Sequence, residues 1–193
     1  MKHSIFIFLF VICSSLTGIC NAQWQPDVRL TNDPASSQTS YNNARCIASN
    51  GDFVHVVWYD MHSGDYEVYY KRSTNDGVSW GADERLTNNS SISWHPSISA
   101  SGTMLIVVWY ENRDGNFEIY YKRSLDRGSS WGADIRLTNH PAHSSHPSVS
   151  ISGSVVYVVW SENRNGNSDI YFNSSTDGGI SWGVDTRLTF DTA

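Results

Sequence analysis

The chain has 193 residues, with 13 basic and 19 acidic side chains and a formal net charge of −6. That balance disfavours nucleic acid and anionic lipid as partners, because both are held through clustered Lys and Arg and the sequence has no such cluster. Three cysteines are too few for a disulfide-built scaffold.

Residues 1–22 open with Lys2, continue through an apolar run from Ile5 to Ile12 and end in small or slim residues before Ala22, the pattern of a secretory signal peptide. The run is too short to span a bilayer, so the expectation is an exported, secreted chain with no membrane span. Cys13 and Cys20 leave with the signal. Cys46 is then the single thiol, expected as a small packed residue rather than half of a disulfide. Losing Lys2 takes the mature net charge to −7.

Residues 24–31 read WQPDVRLT, in line with the later strings WGADERLT, WGADIRLT and WGVDTRLT. They predict an orphan outer strand, standing ahead of three repeat units at about residues 44–87, 95–138 and 146–189. The period is 51 residues: Trp58, Trp109 and Trp160 recur at that interval, as do Arg85, Arg136 and Arg187 of the Arg-Leu-Thr strings. A repeat of this length made of four short strands is the sequence pattern of a propeller blade.

Within the second unit, His95–Ser99 predicts an inner strand and Thr103–Tyr110 a β-branched, apolar second strand too short for a buried helix. Asn116–Arg123 alternates Phe117, Ile119 and Tyr121 with polar residues, predicting a third strand, and Ala133–Thr138 predicts a solvated outer strand. Ser63-Gly64, Asp114-Gly115 and Asn165-Gly166 mark the hairpins between second and third strands. The fold class is therefore all-β: a propeller of four-stranded antiparallel blades, with three complete blades plus the orphan strand.

Between third and fourth strands each unit carries one box: STNDGVSW (Ser73 to Trp80), SLDRGSSW (Ser124 to Trp131) and STDGGISW (Ser175 to Trp182). These strings resemble the Asp-box (BNR) repeats of the sialidase superfamily over nearly all of the mature chain. The resemblance implies a partial six-bladed, sialidase-like propeller, with the boxes serving as structural turns on the side away from the active site. It also implies that an enzyme of this family would carry an arginine triad, a Tyr-Glu nucleophile pair, an Asp acid/base and an Arg-Ile-Pro motif. This chain has Arg45-Cys46-Ile47 in place of the last, and no nucleophile pair can be named.

In an up-and-down blade alternate turns lie on opposite faces, so the links between units and the second-to-third hairpins share the face without boxes. Arg45, Trp94, His95 and Arg113 are the candidate substrate-binding residues there, joined by Tyr41, His146 and Arg164. Asp60 and Glu111 are the candidate catalytic carboxylates. Their recurrence, with Glu162, at one place in every unit favours a hairpin or inter-blade role over catalysis, because an enzyme site is normally asymmetric. His95 and His146 each precede Pro without metal-ligand spacing, so no metal or other cofactor is expected. The expected function is a secreted propeller module that binds an extracellular glycan or glycoprotein or is structural; the alternative is a fragment of an exo-sialidase-like glycoside hydrolase. Open blade edges predict self-association. Asn88, Asn89 and Asn173 fit the N-glycosylation pattern.

Overall fold

The computed structural model describes residues 26–32, 34–41 and 45–190, and all regular structure among them is β-strand. The signal segment 1–22 and Trp24 and Gln25 of the orphan strand lie outside the described residues. The first blade contains β1 (Ser37–Gln38), β2 (Ile47–Asn50), β3 (Phe53–Asp60), β4 (Glu67–Ser73) and β5 (Glu84–Arg85). The second contains β6 (Ser93–Ser101), β7 (Met104–Glu111), β8 (Glu118–Ser124) and β9 (Ile135–Arg136). The third contains β10 (Ser144–Ser152), β11 (Val155–Glu162), β12 (Asp169–Ser175) and β13 (Thr186–Arg187). The second and third are antiparallel meanders in chain order.

The first blade departs from the simple repeat. Its inner strand is split, with β1 pairing the end of β3 and β2 pairing its beginning. Ser37 lies opposite Asp60 as Ser93 lies opposite Glu111, and Gln38 matches Trp94. Seven residues separate Gln38 from Cys46, where only two separate Trp94 from Ser97. The first blade thus begins upstream of residue 44, with residues 39–45 as an insertion relative to the second blade.

Burial explains the middle strands. Leu105 to Tyr110 of β7 are buried on both faces, because the second blade is packed on each side. One apolar cluster joins Val57, Val68 and Tyr70 of the first blade to Ile98, Val107, Trp109 and Tyr120 of the second. Another joins Ile106, Val108 and Tyr121 of the second to Val149, Val158 and Trp160 of the third. Strand β11 alternates instead, and the far face of the third blade exposes Tyr157 and Ile170. Inner strands also meet directly: Ser97 Oγ and Ser99 Oγ accept from the amides of Val149 and Ile151 at 3.3 and 3.1 Å. Cys46 occupies the matching place in the first blade, half-buried, with burial pushing its thiol pKa up.

The box turns are closed by their own side chains. Asp126 accepts from Ser124 Oγ at 2.7 Å and from the amides of Ser129 and Ser130 at 3.0 and 2.9 Å, while Ser124 Oγ accepts from Gly128 N at 2.8 Å. Hydrogen bonds from Ser130, then Ser124, hold this carboxyl well below the usual range, and Ser175 and Ser181 do the same for Asp177. The next two positions are left-handed, Arg127 at φ 58° and Gly128 at φ 74°. The half-buried Trp131 and Trp182 then reach back to the preceding blade, edge-on to Tyr70 and Tyr121 at 5.0 and 5.3 Å. The box therefore clips blade to blade as well as turning the chain. Asn173 is buried in β12 and donates to Gly183 O and Asp185, which removes it as a glycan acceptor, whereas Asn88 is exposed.

Residues 26–31 form no strand ladder, but their contacts repeat those of an outer strand. Arg29 Nε donates to Thr31 O at 2.6 Å, as Arg85 and Arg136 do to Thr87 O and Thr138 O at 2.7 Å. Lys71 Nζ reaches Leu30 O at 2.5 Å, as Lys122 Nζ reaches Leu86 O. The segment lies against the first blade as β5 lies against the second.

Gly128 separates two effects of substitution. A Cβ there would stand 1.9 Å from Tyr70 Oη, whereas one on Gly77, also left-handed, meets only Trp80 at 3.7 Å. Gly77→Ala is expected to cost about 1 kcal/mol of stability and Gly128→Ala about 3 kcal/mol, because only the second adds overpacking to the conformational term. Chemical denaturation of the two variants checks the difference; equal losses would remove the inter-blade clip.

Candidate functional site: the rim opposite the boxes

The box-free rim is built by the second-to-third hairpins and the starts of the inner strands. Two features shape it. In β6 and β10 the pairing register shifts between Trp94 and Ser97 and between Ser145 and Ser148. At these bulges His95 and His146 adopt φ 50° and 55°, a left-handed conformation uncommon for a non-glycine residue. The bulge turns each ring out of the blade, and the two rings come to 5.3 Å from each other.

Around His95 the blades assemble an aromatic wall. Tyr59 and Tyr110 lie 5.1 and 5.4 Å from the His95 ring, and the insertion loop lays Tyr41 against it at 5.2 Å. Tyr66 and Phe117 flank Trp94 at 5.6 and 5.7 Å. A cavity of about 220 Å³ opens between Gln38, Tyr41, Tyr59, Tyr66, Trp94, His95 and Tyr110. Its polar groups are uncharged and held in place: Gln38 Oε1 accepts from Tyr41 Oη at 2.5 Å and Tyr59 Oη at 2.8 Å, and His95 Nδ1 accepts from Tyr41 N at 3.2 Å. Burial, reinforced by the neighbouring His146, lowers the His95 pKa to about 4, so the imidazole is neutral in ordinary buffers. Burial raises the Tyr59 and Tyr110 hydroxyls above their ordinary range.

The acids of the rim have a different role. Glu111 is fully buried and accepts from Trp109 Nε1 at 2.9 Å, Ser93 Oγ at 3.1 Å and both ends of the Arg113 fork. Arg113 also pairs with Asp134 at 2.7 Å and lies 4.5 Å over the Tyr120 ring. Its carboxylate partners, Glu111 foremost, hold its pKa above the usual guanidinium value. The third blade repeats the arrangement with Trp160, Glu162, Arg164, Asp185 and Tyr171. Arg113 is thus committed within its own blade. Asp60 is buried too, accepting from Ser37 Oγ at 2.5 Å and His62 N at 2.8 Å.

Of the four binding candidates, the structure brings together Trp94 and His95. Arg45 is exposed and lines a separate cavity of about 460 Å³ with Ile47, Ser49, Val54 and Ala100, on the inner edge of the first blade. Gln38, Tyr59, Tyr66 and Tyr110 escaped sequence reasoning. Tyr59 and Tyr110 stand next to the recurrent Trp in VVWYD and VVWYE, and serine replaces them at Ser161, a break in the repeat that could have drawn attention to them. Gln38 was hidden by the insertion.

No protein-family model matches this chain, and no curated protein sequence matches it. Solved structures do. An α-L-arabinofuranosidase from Fusarium graminearum, bound to an iminosugar inhibitor, superposes with a TM-score of 0.55 at 13% identity, over 70% of this chain and 45% of its own. An α-L-arabinanase from Penicillium chrysogenum, complexed with arabinobiose, gives 0.53 at 18% identity over the same shares. A Trypanosoma rangeli sialidase gives 0.55 at 16% identity, over 76% of this chain and 30% of its own. The architecture is therefore that of a sialidase-like β-propeller, and the chain spans less than half the length of these propellers.

The neutral histidines make stability pH-dependent. Burial also lowers His55 to about 4, helped by Arg72, where it meets Tyr70 Oη at 2.7 Å. An unfolded chain protonates both near 6.5, the folded chain only near 4. Their contribution is therefore full above pH 6.5 and lost as the pH falls towards 4. Melting temperature followed over that window should fall in the wild type and fall less in the His55→Asn/His95→Asn double variant; parallel curves would refute the assignment.

Proposed function

We propose that this chain is a segment of an exported Asp-box propeller whose rim binds neutral carbohydrate in the cavity around Trp94 and His95. The observation that carries the reading is the cavity itself: aromatic faces set around hydrogen-bonding groups that bear no charge. Sugars present apolar C–H faces for stacking and hydroxyls that both donate and accept, which suits Trp94 and the Tyr rings beside Gln38 and His95. A sialic acid carboxylate would call for guanidinium groups, and Arg113 is already paired while Arg45 lies apart. The signal-like residues 1–22 and the three boxes support export and Asp-box membership. The exposed face of the third blade and the outer-strand contacts of residues 26–31 support further blades on both sides, with self-association through the same edges when those blades are absent.

The second reading, part of a glycoside hydrolase, draws on the structural neighbours, which are glycosidases. In that reading the chemistry resides in blades beyond this segment, since Asp60 and Glu111 are buried and bonded.

Calorimetric titration with neutral and sialylated oligosaccharides tests the proposal. Binding of the neutral series is expected, with Trp94→Ala lowering affinity about tenfold, roughly 1.4 kcal/mol, and Arg45→Ala leaving it unchanged. A preference for sialylated ligands that depends on Arg45 would overturn it. No turnover of aryl α-L-arabinofuranosides or sialosides is expected from this segment, and robust hydrolysis lost in Asp60→Asn would restore the enzyme reading.

A further inference from the structure

In the second and third blades one guanidinium occupies a fixed place: over a tyrosine ring, between the acid that ends the second strand and the aspartate ahead of the outer strand. The first blade keeps the frame of that place. Trp58 stacks on Tyr69 at 5.9 Å and 19°, as Trp109 stacks on Tyr120 at 6.3 Å and 22°. Asp60 stands where Glu111 stands, opposite Glu67 as Glu111 is opposite Glu118. Asp83 takes the place of Asp134 and binds Lys71 at 2.6 Å, as Asp134 binds Lys122 at 2.9 Å. The guanidinium is missing from this frame, because His62 stands where Arg113 and Arg164 stand.

The space has not closed. A cavity of about 180 Å³ lies between Trp58, Asp60, His62, Tyr69 and Asp83. Trp58 is 4% exposed, and its Nε1 donor has no partner among the described residues, whereas Trp109 Nε1 and Trp160 Nε1 each donate to the glutamate two residues on at 2.9 Å. Asp60 is one methylene shorter than those glutamates, which accounts for the lost bond. In the second blade Glu111 and Asp134 face Arg113 and Lys122, two negative charges against two positive. In the first blade Asp60 and Asp83 face Lys71, and His62 stands at the place of the second cation. A buried donor without an acceptor is costly, so a cavity that keeps one beside two carboxylates and a single lysine is suited to a polar occupant.

We propose that this cavity is a binding site for a guanidinium group supplied from outside the first blade. The incoming group takes the position that Arg113 holds in the second blade, stacked on Tyr69 and forked between Asp60 and Asp83. A cavity of this size also admits a water beside the guanidinium, accepting from Trp58 Nε1 and donating to Asp60. The site lies on the side of the first blade that faces residues 26–31, where Lys71 meets Leu30. It is separate from the aromatic cavity, which lies on the side facing the second blade.

The test follows the Trp58 indole N–H resonance of the full chain, assigned with Trp58→Phe, during titration with N-acetyl-L-arginine amide and with the peptide Gly-Gly-Arg-Gly-Gly. Saturable shifts are expected, at least tenfold weaker with N-acetyl-L-lysine amide and in Asp60→Asn. His62→Arg restores the arginine in cis, so it should abolish binding of both probes while leaving Trp94-dependent glycan binding intact. Tighter binding of the peptide assigns the guanidinium to an arginine of a protein partner; binding of the capped amino acid alone assigns it to a small free ligand. Saturation by neither probe, equal binding of the lysine probe, or binding that survives His62→Arg overturns the proposal.

Discussion

Every blade places two buried carboxylates directly opposite each other at the rim, and much of the architecture follows from keeping that pair neutralised. Asp60 faces Glu67, Glu111 faces Glu118 and Glu162 faces Asp169 across the second and third strands. Like charges at opposed positions of an antiparallel pair repel, and burial adds a desolvation cost, so each carboxylate needs its own donors. The outer strand supplies one set: Arg85 and Thr87 bind Glu67, Arg136 and Thr138 bind Glu118, and Arg187 and Thr189 bind Asp169. The Arg-Leu-Thr strings recur because they fasten a two-residue outer strand that backbone pairing alone would hold weakly.

The other carboxylate is served from the hairpin by Arg113 or Arg164 and from within the sheet by Trp109 or Trp160. This arrangement makes the acids architectural. Buried pairs of this kind are costly to break and add little net stability over an apolar substitute, so their value lies in fixing register at the open end of each hairpin. The first blade, with a shorter acid and a histidine in place of the arginine, shows what remains when one half of the arrangement is withdrawn: a polar cavity in place of a packed ion pair.

With the acids committed to structure, the open surface of the rim is formed by the aromatics. Tyr59 and Tyr66 come from the first blade, Trp94, His95 and Tyr110 from the second and His146 from the third, with Tyr41 added by the insertion loop. The two left-handed histidines are the devices that make this convergence, since a regular strand would keep each ring on its own blade's face. Among the described strands these two histidines are the residues with positive φ, and both stand at the rim.

The sequence alone determined the blade. A 51-residue period, the β-branched second strands, the Gly-bearing hairpins and the boxes each dictate local backbone geometry, and local geometry is written in neighbouring residues. Tertiary structure decided the rest. The insertion before Cys46 moved Gln38 into the register of Trp94, which no fixed period reveals. Arg113 reads as a free guanidinium until its two carboxylates are placed around it from the strand before and the loop after. Arg45 and Trp94 read as neighbours until the inner edge of one blade is seen to point away from the rim of the next. The physical reason is common to all three: covalent spacing sets the conformation of a strand, whereas the partners of a charge or a ring come from packing between elements distant along the chain.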